Sequence, residues 1–300
     1  MSGIYGLPPA ELAPWPEDAT QFSPLIPGSQ SLETAAEGSL AAMTMAAPPG
    51  TLERRYAIGL MLRALAPDAP FTVLAPKNRG GSRLAAELEE LGCSVTEASK
   101  RHFRICAGRR PEVIANLDQV LQAGAPRLLE SLGLWSQPGV FSWDRLDPGS
   151  SLLADHLPAL AGRGADLGCG IGYLARRVLA SPKVEHLTLI DVDGRALAMA
   201  KLNVDPQRTS FVWADVRRQE TTLRGLDFVV MNPPFHATGT EDRTLGKAFI
   251  ARAAESLRRD GTLWLTANRH LPYEETLSSL FGEASLKAEG QGFKIYMASK

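Results

Sequence analysis

The sequence predicts an α/β fold built on a mostly parallel sheet, and three observations carry that prediction. Strand-like and helix-like segments alternate through the second half of the chain, the pattern of parallel strands joined by crossover helices. A glycine-rich turn at residues 165–172 links one of those strands to a helix. The last two strand-like segments, 284–289 and 293–298, are close enough to form an antiparallel hairpin.

Residues 1–50 are rich in Pro, Ala, Gly and Ser, and Pro8-Pro9, Pro14, Pro16, Pro24 and Pro27 read as turns and irregular chain. A helix is expected over 52–66, a strand over Phe71–Ala75, a helix over 82–91 stopped at Gly92, and strands over 93–97 and 102–107. Residues 112–134 are helical in pattern, with an interruption near Gly124-Ala125-Pro126, and Ser136–Ser150 is turn-rich. Strands are then expected at 163–167, 186–191, 209–213, 226–231 and 261–266, and helices at about 171–180, 194–203, 247–259 and 273–281. A boundary near residues 110–136 divides the chain into two domains, 1–125 and 126–300.

The two halves resemble each other. A shift of 190 residues lays 71–107 on 261–297 without gaps, so that Asn78 meets Asn268, Arg79 meets Arg269, Phe103 meets Phe293 and Ile105 meets Ile295. Shared element order makes duplication the better explanation. The first copy carries Ala47-Pro48-Pro49-Gly50 where the second carries Asn232-Pro233-Pro234-Phe235, and it has no glycine-rich turn. A catalytically dead first copy and a live second one are expected.

Composition excludes several classes. In 300 residues, a hydrophobic content of 44% and a charged content of 22% are ordinary for a globular chain, and a net charge of −1 gives no global signal for nucleic acid. Cys93, Cys106 and Cys169 match no metal or redox spacing, and neither do the five histidines, although His236 sits beside the Asn232 loop. No basic-then-apolar leader and no apolar run of membrane-spanning length is present, so a cytoplasmic protein without membrane or metal is expected.

The chemistry concentrates at Asp227–Phe235, DFVVMNPPF. The apolar run suits a buried strand, and two consecutive prolines force the chain out of the sheet. Asn232 Oδ1 and the Pro233 carbonyl can accept both hydrogens of a planar amine while Phe235 stacks on its plane. Upstream, Ala165–Gly172 reads ADLGCGIG. Gly168, Gly170 and Gly172 permit a sharp turn and a close approach to a ligand. A dinucleotide fingerprint would put its third glycine at Tyr173, so the spacing is D-x-G-x-G-x-G, beginning at Asp166. Asp191 and Asp215 close the next two strands. Asp191 can accept hydrogen bonds from ribose hydroxyls, or simply cap a helix. Asp215 can be an ordinary loop acid, and Phe235 either stacks on substrate or belongs to the core. The basic run 99–110, with Lys100, Arg101 and Arg104, reads as a phosphate-holding strand or as a half-buried strand with a solvated face.

These motifs resemble those of class I S-adenosylmethionine-dependent methyltransferases. With Gly139–Ser151, Gly261–Glu274 and Ala75–Gly81, the chain resembles the bacterial small-subunit (16S) ribosomal RNA guanine-N2 methyltransferase family over most of its length. The resemblance implies a Rossmann-like, mostly parallel seven-stranded sheet with a C-terminal antiparallel hairpin, preceded by a degenerate methyltransferase-like domain. It implies S-adenosyl-L-methionine as cofactor, held by Asp166, Gly168, Gly170, Gly172, Asp191 and Asp215, the last at the adenine amino group, with Phe141 and Asp147 in the pocket wall. It also implies a ribosomal RNA or small-subunit partner and catalysis by Asn232, Pro233 and Phe235. The residues alone leave other planar amines open: a large-subunit guanine N2, an adenine N6 or a protein glutamine. A non-catalytic RNA-binding role is a further alternative.

Overall fold

The computed structural model describes residues 1–218, 223–234, 236, 237, 240, 241 and 243–300, the side chains of 236–243 excepted. The chain divides into two compact units, Met1–Pro126 with Gln137–Gly139, and Arg127–Ser136 with Val140–Lys300.

In the first unit, β1 (Ser2–Tyr5), β2 (Thr20–Gln21), β3 (Ala42–Ala46), β4 (Pro70–Pro76), β5 (Val95–Lys100) and β6 (Phe103–Arg109) form one sheet in the order β2-β1-β3-β4-β6-β5. Helices α1 (Thr51–Ala64), α2 (Leu84–Glu89) and α3 (Leu117–Gly124) accompany it. Two expectations are corrected here. The segment 1–50 is not wholly irregular, because β1, β2 and β3 pair in parallel there. The helical pattern of 112–134 yields a helix only to Gly124; beyond Pro126, β7 (Arg127–Leu129) and β8 (Leu134–Ser136) form a hairpin belonging to the second unit. Gly133, at φ +58, turns that hairpin.

The second unit continues with α4 (Pro148–His156), β9 (Gly162–Leu167), α5 (Tyr173–Leu179), β10 (Val184–Asp191), α6 (Gly194–Asn203), β11 (Thr209–Trp213) and β12 (Leu226–Met231). A short antiparallel pair follows, β13 (His236–Ala237) with β14 (Thr240–Glu241). The chain ends with α7 (Arg243–Ser256), β15 (Leu257–Asn268), α8 (Glu274–Leu280), β16 (Glu283–Gly290) and β17 (Phe293–Ser299). Seven strands align as β11-β10-β9-β12-β15-β17-β16. The pairs from β11 to β15 are parallel, and β17 runs antiparallel to both β15 and β16. Both faces are buried. Val229 and Met231 of β12 enter one cluster with Phe249 and Ile250 of α7, whereas Phe228 and Val230 enter the other with Leu174 of α5 and Leu197 of α6. This period of two is what a strand covered on both sides requires.

The turn-rich reading of Ser136–Ser150 also needs correction at its end, because α4 begins there. Asp147 caps it, its side chain accepting the Ser150 N–H, and Pro148 occupies the first helical turn.

The two sheets share one topology. From the hairpin edge inward, β5–β6–β4–β3–β1–β2 parallels β16–β17–β15–β12–β9–β10, and the second sheet adds β11. The registers coincide at the hairpins, where Ala98 pairs Ile105 and Ala288 pairs Ile295. Ala47-Pro48-Pro49 therefore follows β3 as Asn232-Pro233-Pro234 follows β12.

Candidate active site

Residues 168–172 leave the carboxyl end of β9 as a backbone loop and enter α5. Gly168, Gly170 and Gly172 have φ of +74°, +52° and +83°, a region that side-chain-bearing residues rarely occupy. A Cβ on Gly172 would press to 3.2 Å from Ala200 of α6, whereas a Cβ on Gly170 would meet no atom within 4 Å. Gly172 thus serves packing, and Gly170 faces open space. The loop is tied to the next strand: Gly168 and Cys169 amides donate to the Ile190 carbonyl at 2.8 and 3.1 Å. Asp191 Oδ2 accepts the Gly170 N–H at 2.8 Å, and Oδ1 accepts the Asp193 N–H at 2.9 Å. Each oxygen retains a lone pair for a further donor.

Beneath this loop Asp166 is fully buried, and neither of its carboxylate oxygens has a hydrogen-bond partner. Burial, reinforced by the charge of Asp191, raises its pKa to about 8. Burial also raises Asp191 to about 6, against the Asp193 and Gly170 amides. A cationic ligand beside the loop would favour the ionised form of both carboxyl groups.

A small cleft opens in front of the loop. Phe141, Asp147, Ser150, Gly170, Ile171 and Asn232 are among the residues that line it. Phe141 is 59% exposed, and Ser150 and Ile171 lie within segments that stand out in the sequence without a role of their own there. Asn232 is half-buried at the end of β12, Pro233 is buried and Pro234 is exposed. Asn232 Nδ2 donates to Asp147 Oδ2 and to Ser150 Oγ, both at 2.8 Å. Phe235 lies outside the described residues.

Asp215 is not among the described residues that line this cleft. Its carboxylate binds the Arg217 guanidinium, with Nη2–Oδ2 at 2.5 Å and Nε–Oδ1 at 2.9 Å, and also accepts the Arg217 N–H. That guanidinium holds the Asp215 pKa below its usual value. An adenine amino group would have to share this carboxylate with Arg217.

The basic run forms the tip of the β5–β6 hairpin, where Arg101 and His102 both have positive φ, as a two-residue turn of this twist demands. Lys100 Nζ donates to the Glu11 carbonyl at 3.1 Å, Arg101 pairs with the Glu11 carboxylate at 2.8 Å, and Arg104 pairs with Glu97 at 2.9 Å. The first unit has also filled the place where a second site would lie. Buried Arg54 pairs with Glu87 at 2.6 Å and donates to the carbonyls of Pro48 and Pro49 at 3.4 and 2.8 Å. Gly80 makes room for it, since a Cβ there would fall 2.1 Å from Arg54 Nη1.

Among the described residues no group of three His, Cys, Asp or Glu side chains is placed to hold a metal. No helix among them is long and apolar enough to cross a membrane. All three cysteines are buried and free.

Residues 131–297 match the methyltransferase small domain family. The chain is 31% identical over 248 residues to the ribosomal RNA small subunit methyltransferase C of a Shewanella species, covering 80% of this chain and 71% of that protein. The chain belongs to the ribosomal RNA small subunit methyltransferase C family. A Pseudomonas paraeruginosa relative of the same name is 31% identical over 288 residues, covering 94% of this chain and 86% of the relative. The fold also matches that of a T. thermophilus 16S rRNA N2 methyltransferase solved with AdoMet and guanosine. There the TM-score is 0.79 at 21% identity, covering 100% of this chain and 88% of that one. Membership of this family accords with the seven-stranded sheet and its antiparallel C-terminal hairpin.

Proposed function

We propose that this protein transfers a methyl group from S-adenosyl-L-methionine to the exocyclic N2 amine of a guanine in small-subunit (16S) ribosomal RNA. One observation carries the reading: a single cleft is lined by both the glycine turn and Asn232, so methyl donor and acceptor amine would meet there. The residues fit the cofactor. Gly170 leaves space where any side chain would intrude, and Asp191 keeps acceptor capacity for ribose hydroxyls. Asp166 lies buried beneath the loop, where a cationic ligand would favour its ionised form. Phe141 and Asp147 form the wall, and Asp215 serves the adenine end.

When bound, the cofactor supplies a methyl already activated on a sulfonium, so the protein has mainly to align a nucleophile. The guanine amine is a weak one, because its lone pair is delocalised into the ring. Asn232 Oδ1 and the Pro233 carbonyl accept its hydrogens and favour localisation of that lone pair, and Phe235 holds the plane of the base. Only an unpaired or flipped-out guanine can enter. The first unit acts as a degenerate methyltransferase-like domain that supports the catalytic one and contacts RNA through Lys100, Arg101 and Arg104. A ribosomal RNA substrate implies a cytoplasmic location.

The test is transfer of labelled methyl groups to ribosomal RNA and small subunits from cells lacking the modification, followed by nucleoside analysis. Label in N2-methylguanosine of small-subunit RNA is expected. Label in N6-methyladenosine, or only in protein, contradicts the reading.

A further inference from the structure

We propose that Asp147 and Ser150 are positioning residues that lock the Asn232 side-chain amide with its oxygen turned toward the methyl acceptor. This deepens the function proposed above and rests on it. A carboxamide presents a donor end and an acceptor end of nearly equal shape, and its terminal torsion is broad. A free asparagine at the end of β12 would offer either end to the cleft. Here both Nδ2 hydrogens are taken, by Asp147 Oδ2 and Ser150 Oγ at 2.8 Å each. The flipped amide would set its oxygen 2.8 Å from Asp147 Oδ2, where an ionised carboxylate can only accept. Asp147 therefore selects the orientation, and Ser150 completes it. Donation to a carboxylate also polarises the amide, which strengthens Oδ1 as an acceptor.

The lock is itself held rigid. Asp147 Oδ2 also accepts the Ser150 N–H at 2.7 Å, so one oxygen caps α4 and orients Asn232. Gly149, between the two residues, is pressed against β17, where an added Cβ would lie 2.7 Å from the Phe293 ring. The helix cap cannot shift toward the sheet, and Asn232 inherits its position. The consequence is chemical selection. A cleft that presents only acceptors at this point admits a group bearing N–H and rejects a carbonyl or a bare ring nitrogen.

The experiment exchanges donor and acceptor in the full-length protein. Asn232→Asp sets two carboxylates together and is expected to lower kcat about 100-fold, the scale of a lost charge-assisted bond. Adding Asp147→Asn restores one donor and one acceptor in reversed order, and kcat is expected to recover at least tenfold. A double variant no faster than Asn232→Asp alone, at matched thermal stability and cofactor Kd, overturns the proposal. Ser150→Ala is expected to cost about tenfold in kcat, as for one neutral hydrogen bond, with cofactor Kd changed less than about threefold. Ser150→Thr is expected to recover most of that loss, and wild-type kcat in Ser150→Ala overturns the role of Ser150. If the wild-type protein methylates no RNA, the function fails while the lock stays testable. The ¹⁵N resonance of the Asn232 side chain, assigned by its loss in Asn232→Asp, should show slowed hydrogen exchange that Ser150→Ala accelerates. Exchange at the rate of a free amide in the wild type overturns the lock.

Discussion

Asp191 Oδ2 accepts the Gly170 N–H at 2.8 Å, which joins the end of β10 to the one glycine of the turn that faces open space. A ribose held by Asp191 would therefore lie beside the loop that approaches the rest of the cofactor. Asp191→Ala removes both the ribose acceptor and the partner of the loop. Loss of hydrogen bonds to a charged group, at about 1.5–3 kcal/mol, predicts cofactor affinity weaker by roughly 10- to 100-fold in calorimetry. An unchanged Kd would remove Asp191 from the binding site.

Asp166 makes stability depend on pH in an unusual direction. Its pKa rises from 3.8 to about 8 on burial, so the native chain holds a proton that the unfolded chain releases between those values. The contribution to stability is full below about pH 4 and is lost as pH rises through about 8. Asp166→Asn, a neutral isostere, should flatten that slope. Urea denaturation should show the variant gaining much more stability relative to wild type at about pH 9 than at about pH 5. Parallel pH profiles would show that Asp166 ionises normally.

Arg54 fills the first unit's counterpart of the active loop. Truncating it to Ala strands buried Glu87 and two proline carbonyls, at a cost of about 3–5 kcal/mol. The double change Arg54→Met with Glu87→Leu leaves no unpaired charge and should lose far less. Chemical denaturation checks both, and a mild Arg54→Ala variant would mean that water reaches the pair.

The hairpin tip of the first unit offers a separate test. The Arg101–Glu11 pair is exposed on both sides and is worth no more than about 1 kcal/mol, so an RNA phosphate can displace Glu11. Charge reversal at Arg101 and Arg104 should weaken RNA binding and flatten its salt dependence. Binding unchanged across several salt concentrations would make the run a solvated strand.

The catalytic half is legible in the sequence because its strands are long and apolar and their ends carry glycines, acids and prolines in a fixed order. The paired residues Ala98 and Ile105 and their counterparts Ala288 and Ile295 stand out as identities when the two halves of the chain are aligned. The N-terminal strands do not stand out. β1 and β3, SGIY and AMTMA, are short and nearly free of β-branched residues. They exist because neighbouring strands pair with them, and propensity alone cannot see that. Leu128, Leu129, Leu132 and Leu134 imitate helical spacing, yet Pro126 and Gly133 turn the segment into a hairpin. Asp147-Pro148 reads as a turn, although an acid before proline is also a helix start. The turn reading hides Ser150, whose role depends on an Asn232 contact 82 residues away in sequence.

The proposed function requires Asn232 to grip the acceptor amine while other residues hold the cofactor. Single-turnover methylation and cofactor calorimetry on Asn232→Ala, measured side by side, test it most directly. The expected rate is lower by on the order of 10²–10³-fold, as for a lost transition-state contact, with cofactor Kd nearly unchanged. A near-normal rate would contradict it.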